Sequence, residues 1–242
     1  MSSEPAPAQL STSVDALGRP IVSIGWAATA PDWLTRPEHS ADLSGPSAGD
    51  FATELEPPGD PIDETMVEVA TDLPPGKALD LGCGLGQNAV WLAQRGWVVT
   101  AVGRSADAIV EARRAAARAG VSIVLEIADV TAWRPTSRYD LVLSTFALPA
   151  RGMGRSRLLE LAASAVAPGG TIIVRELDVA LAREGRMPEK YLVAREEIER
   201  HVDGFRVERS HSRLTDRWHG YEKVVVPVAT VVARRRTDLR TF

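Results

Sequence analysis

Cysteine is all but missing. Cys83 is the single one in 242 residues, which excludes an internal disulfide and a cysteine-rich zinc site. The four histidines, His39, His201, His211 and His219, stand apart. They lack the i, i+4 pairing and carboxylate clustering of a zinc or iron site, so no metal is expected. An excess of positive charge is also lacking: 28 Lys and Arg against 32 Asp and Glu leave a net charge of −4. That balance argues against nucleic acid as the main partner. The longest apolar run, Val224 to Ala233, is broken by Pro227 and too short to cross a membrane. The first residues show no basic flank and apolar core of a signal peptide, so a cytoplasmic location is expected. No G-x-S-x-G occurs, and Ser-His-Asp chemistry is not expected.

What is present divides in two. Residues 1–50 are rich in Pro, Ser and Ala and read as an arm, disordered in its first ten residues. Within it, Ile21 to Trp26 reads as a short strand. Trp26 and Trp33 are large apolar groups to leave in a linker, and they imply docking, on the back of the sheet or as a lid over a substrate pocket. Residues 51–242 read as one domain.

That domain alternates. A helix carrying Ile62, Val67, Val69 and Ala70 ends at Leu73, before Pro74-Pro75-Gly76. Strands follow at Ala78–Leu81, Trp97–Val102, Val121–Ile127, Tyr139–Ser144 and Thr171–Val174. Between them lie helices at Gln87–Arg95, after Ser105 with Ile109, Ala112, Ala116 and Ala119 on one face, and at Leu158–Ala167. Such alternation gives a doubly wound, mostly parallel α/β sheet. The tail departs from it. Glu196–His201 reads as helix, and Gly204–Arg209 and part of Glu222–Ala233 read as strands joined by a turn at Trp218–Tyr221, an antiparallel hairpin. Pro227 implies a bulge, or a strand that starts at Val228. Arg234-Arg235-Arg236 reads as a solvated terminus.

The chain is organised around Ala78 to Leu92. A short apolar strand ends in Asp80, and Gly82, Gly84 and Gly86 then alternate before a helix begins at Gln87. A strand, a glycine turn and a helix start bring backbone N–H groups against a ligand. A dinucleotide fingerprint would need glycine where Gln87 stands.

D-x-G-x-G-x-G resembles the first motif of class I methyltransferases that use S-adenosylmethionine. Among these the chain is most similar to small bacterial members of the tellurite-resistance type. The shared residues are Asp80-Leu-Gly-Cys-Gly84, Asn88, Tyr139-Asp140 followed by Leu-Ser-Thr, and Ala229-Thr-x-x-Ala-Arg234. The resemblance implies a Rossmann-like, seven-stranded sheet with an antiparallel C-terminal hairpin, covering roughly residues 62–236.

It also implies a site, at the carboxyl ends of the strands. The cofactor's amino-acid end would lie on Asp80, Gly82, Gly84, Gly86 and Asn88. The family's ribose-binding acid would stand at Gly103, beside Arg104, and here a glycine replaces it. Such a missing charged acceptor costs about 1.5–3 kcal/mol. Asp129 would meet the adenine amino group and the Val130 N–H the ring, although Asp129 also suits a turn or helix cap. Ser144 and Thr145 would pass the methionine part, while Asp140 suits structure. Phe146, Arg175, Glu176 and His211 fall near the expected acceptor pocket. His211-Ser212-Arg213 is one residue out of step with the His-Arg pair of the relatives. No catalytic residue stands out, and methyl transfer, a one-step displacement, does not require one. Two readings remain: a small-molecule methyltransferase, or a methyltransferase fold that binds its ligand without transferring methyl.

Overall fold

The computed structural model describes residues 10–14, 20–24, 61–183, 187–219 and 222–237. The docking expected of Trp26 and Trp33 lies outside them. In the arm, β1 (Leu10–Val14) pairs antiparallel with β2 (Pro20–Ile24), the strand expected near Ile21. Leu10, assigned above to a disordered start, opens β1 instead.

From residue 61 the order is α1 (Glu64–Thr71), β3 (Lys77–Leu81), α2 (Gln87–Ala93), β4 (Val98–Gly103), α3 (Ala106–Arg118), β5 (Val124–Ile127) and β6 (Tyr139–Thr145). Then come α4 (Met153–Ala165), β7 (Val166–Leu177), α5 (Ala180–Arg183), α6 (Arg195–Glu199), β8 (Phe205–His219) and β9 (Glu222–Arg235). Seven strands form one sheet in the order β5-β4-β3-β6-β7-β9-β8. The first five are parallel, and β9 runs antiparallel to both β7 and β8. Asp63 caps α1 by accepting from the Met66 N–H, and Ser105 caps α3 through the Ala108 N–H. Each such cap satisfies an N–H that the helix leaves open, worth roughly 1 kcal/mol. Asp140 is structural, as expected: its Oδ2 accepts from the Lys77 N–H at 2.8 Å and fixes the entry to β3.

Helices cover both faces. On one, Met66, Leu92 and Ile109 from α1, α2 and α3 pack on Ala78, Val99, Leu143, Ile173 and Val232. On the other, Leu158, Leu159 and Ala162 of α4 and Ile198 of α6 pack on Leu81, Val142, Val174 and Val231. Each large side chain buried this way is worth about 1.5–3 kcal/mol.

Three expectations are corrected. The fourth helix begins at Met153, not Leu158. Its first turn holds Met153 out at 79% exposure and buries Arg155 completely, which hides the apolar pattern. Arg155 donates to the carbonyls of Pro149, Lys190 and Leu192, a clip between two loops. β9 runs straight through Pro227 without a bulge; the irregularity lies at Val207/Arg209 of β8. The Pro227 carbonyl accepts from Asp178 beyond the end of β7, so the proline's missing N–H faces that open end and the ladder to β8 is spared. The arginine run Arg234–Arg236 is not a solvated terminus: its first two residues belong to β9. Arg235 donates to the Val166 and Ala163 carbonyls at the end of α4, and Arg234 to Gly169.

β7 ends at Leu177, opposite Val228, yet the hairpin runs on to His219 and Glu222. This overhang has a small core of its own, Val224, Val226 and Val228 against Leu181 and Leu192, with Phe146 at its margin. No described helix is long and apolar enough to cross a membrane, and no described group of His, Cys, Asp and Glu could hold a metal.

Candidate functional site

The turn after β3 is anchored on its neighbour. The N–H groups of Gly82 and Cys83 both donate to the Val102 carbonyl of β4. Gly82 and Gly84 take the left-handed conformation, at φ 79° and 52°. A Cβ on Gly82 would lie 2.3 Å from that of Ala147, so the chain passes there only without a side chain. At Gly84 the same construction meets nothing within 4 Å. Its open side belongs to a cavity of about 260 Å³ lined by Pro61, Asp63, Gly82–Leu85, Gln87, Asn88, Thr145, Phe146 and Arg217.

A polar network ties this cavity together. Asn88 Nδ2 donates to Thr145 Oγ1 at 3.2 Å, and Asn88 Oδ1 accepts from the Asp63 N–H at 2.9 Å. Asp63 Oδ2 accepts from Arg175 at 2.6 Å in a buried ion pair. Arg175 also reaches Thr230 and, at 3.4 Å, Glu64 and Thr215. Phe146 lies in the left-handed region at φ 55°, with its N–H held by the Arg175 carbonyl. Non-glycine residues in this conformation are uncommon and concentrate at functional sites. The Arg217 guanidinium stacks on the Phe146 ring at 3.4 Å from its centroid, and that of Arg175 lies at 5.9 Å.

Behind the turn sits Asp80, 1% exposed, with neither carboxylate oxygen hydrogen-bonded. Burial first and the charge of Asp63 second push its carboxyl up to about 7. A buried carboxylate with no partner is costly, and a cation close by would relieve the cost. Burial also pushes Glu176 up to about 7, against the N–H groups of Leu177 and Leu148 that it accepts and the charges of Arg155 and Arg217.

The remaining expected site residues lie at neighbouring strand tips. Gly103 closes β4 with its Cα against the turn: a Cβ there would stand 3.3 Å from Cys83 Sγ and 3.4 Å from Ile109 Cδ1. Arg104 follows, its guanidinium held below its ordinary value by burial and opposed in this by Asp129. Asp129 accepts from the N–H and hydroxyl of Thr131, which fits the turn role, and these bonds keep its carboxyl low. Val130 is half-buried beside it. Ser144 pairs with Leu81 and so faces the side of the sheet opposite Asp80 and Thr145, its buried hydroxyl unpartnered. His211 lies away from the cavity, on β8. Asp63 and Arg217 were not anticipated. Asp63 reads locally as a helix cap, and Arg217 sits on a strand whose facing cannot be known until its partner is.

A methyltransferase-domain family profile matches residues 78–170. Curated relatives match over part of the chain. The probable S-adenosyl-L-methionine-dependent methyltransferase TehB of Haemophilus influenzae is 30% identical over 80 residues, 33% of this chain and 28% of its own. Hemagglutinin 1 of Eikenella corrodens is 33% identical over 117 residues, 47% of this chain and 38% of its own. The chain thus matches less than two fifths of these relatives' length. Among solved structures, TehB from Haemophilus influenzae superposes with TM-score 0.63 at 19% identity, covering 78% of this chain and 65% of that one. Magnesium protoporphyrin IX methyltransferase of Synechocystis, with S-adenosylhomocysteine bound, gives 0.54 at 19% identity, over 71% and 82%. Residues 78–170 thus match a methyltransferase domain, and the sheet has the fold of solved methyltransferases.

The Synechocystis enzyme has also been solved with S-adenosylmethionine bound, and the residues present here fit that group. The open space at Gly84 leaves room for a ligand against the backbone, and the unpartnered Asp80 behind the turn suits a ligand that carries positive charge.

Proposed function

We propose that this protein transfers a methyl group from S-adenosylmethionine to a small-molecule acceptor. The observation that carries the reading is the pairing of an open glycine turn with a buried, uncompensated Asp80. S-adenosylmethionine supplies an electrophilic sulfonium methyl when bound. The turn from Gly82 to Gly86 would hold its amino-acid end, with Asn88 and Thr145 ordering the cavity wall. Gly103 and Arg104 would border the ribose, and Asp129 and Val130 the adenine. Ser144, on the far face, would support the strand tip from behind.

Phe146, the stacked Arg217 and the nearby Arg175 would form the border between the cofactor and the acceptor. Their work is orientation and exclusion of water, which a displacement at carbon rewards. Residues 1–50 would form an arm and residues 51–242 the methyltransferase domain, acting in the cytoplasm.

Calorimetry with S-adenosylmethionine and S-adenosylhomocysteine tests the reading. Micromolar binding of both is expected. Failure of both to bind would overturn it.

A further inference from the structure

Beside the cofactor cavity lies a larger groove of about 580 Å³, between α1 and the edge strand β8. Arg175 is the wall between the two, bonded to Asp63 on the cavity side and to Glu64 and Thr215 on the groove side. Side chains alternate along a strand, so Arg209, His211, Arg213, Thr215 and Arg217 share one face of β8. The register confirms that this is the face of α1: His211 lies across Thr230 from Arg175. The result is a stripe of basic and polar groups that runs from the groove to Phe146.

Most charges in the groove are already matched. Glu68 takes Arg209 at 2.5 Å, Glu64 takes Arg175, and Glu208 takes Arg206 at 2.6 Å. Arg213, exposed beside His211, has no ion pair among the described residues, and the His211 imidazole has no hydrogen bond among them. We propose that this groove binds the acceptor, and that the acceptor carries a carboxylate or phosphate held by Arg213 and His211. The proposal rests on the methyl-transfer reading and adds the acceptor's chemical class. It also sets a shape. Strand spacing separates Arg213 from Arg217 by about 13 Å, so the acceptor is elongated, with its anionic end away from the atom that is methylated.

The field at His211 agrees. Burial, then the charges of Arg213, Arg175, Arg209 and Arg195, hold its imidazole below the ordinary value, while Glu64, Glu68 and Glu208 line the same groove. An anion settling there would offset the arginines and raise the titration midpoint of His211.

The test uses the full chain with ring-labelled histidine, followed by NMR. The probes share one shape: biphenyl-4-carboxylate, biphenyl-4-yl phosphate and biphenyl-4-methylamine. At least one of the two anions should move the His211 signal and raise its midpoint, and which of them does so names the group. The amine should not. Arg213→Glu should weaken anion binding at least tenfold while S-adenosylhomocysteine binds within twofold of the parent. Equal binding of the amine, no binding of either anion, or an unaffected Arg213→Glu would overturn the proposal. The titration is run with and without S-adenosylhomocysteine, so loss of cofactor binding would sink the methyl-transfer reading and leave the groove to be judged by itself.

Discussion

The glycine turn after β3 and the overhanging hairpin β8–β9 meet at Phe146, and they are built on opposite plans. The turn works by what it omits: Gly82 clears Ala147, and Gly84 opens onto the cavity. The hairpin works by what it projects, an alternating row of arginines, histidine and threonine from a strand that outruns its neighbours. Backbone recognition of this sort tolerates no added side chain, whereas recognition by side chains can be retuned one residue at a time. Cofactor binding should therefore be brittle at the turn, and acceptor choice adjustable along the hairpin.

Gly84→Val attacks the brittle side and carries the largest expected effect. Affinity for S-adenosylhomocysteine should fall at least a hundredfold by calorimetry. The left-handed φ of 52° makes valine cost about 1–2 kcal/mol as well, so thermal unfolding should still show one cooperative transition at a lower Tm. Normal binding by this variant would place the cofactor elsewhere.

Asp80→Asn tests the charge behind the turn. A carboxyl raised to about 7 in the folded state holds its proton more tightly than the unfolded chain does. Its contribution to stability is therefore full below its ordinary value near 3.8 and is lost as pH rises through about 7. The variant escapes that loss, so its Tm should exceed the parent's by a margin that widens from pH 4 to 8. Binding should show the opposite preference. S-adenosylmethionine, with its positive charge, should bind the parent up to about tenfold more tightly as pH rises through 7, and the variant's curve should be flat. Glu176 titrates in the same window, which is why the difference between the two proteins, not either curve alone, is the measurement.

Gly103→Asp is expected to gain about tenfold in cofactor affinity, within the range of a charged hydrogen bond. The backbone there is not left-handed, and the nearest atoms to a new Cβ are the ends of the Cys83 and Ile109 side chains, which need give only a few tenths of an ångström. Weaker binding than the parent would mean a pocket rebuilt around glycine. Removal of residues 1–50 should have the smallest effect, raising the acceptor KM severalfold while leaving S-adenosylhomocysteine affinity unchanged. Equal kinetics of the two proteins would reduce the arm to a tether.

The same contrast governs what could be read from the chain. The alternation of strands and helices is written in local apolar periods, and the turn in a run of glycines, so both were legible. Arg155 was not, because a buried arginine looks polar in any window and its three acceptors come from loops on either side of it in the fold. Arg217 and Asp63 belong to the cavity through pairings with Phe146 and Arg175, which join residues far apart in sequence. Pro227 misled for a different reason. Its cost depends on which side of β9 lacks a neighbour, and that is a property of the sheet.

The Arg155 clip has a consequence for motion. The loop at Pro149 and the segment at Lys190–Leu192 share one guanidinium, and Arg151 adds a backbone bond and an ion pair between the same two stretches. Neither stretch can lift from Arg155 without losing the partner of its own carbonyls. In hydrogen exchange the two should open as one unit, with the Arg151 and Leu192 amides showing matched protection. The two stretches would then move as a single plate.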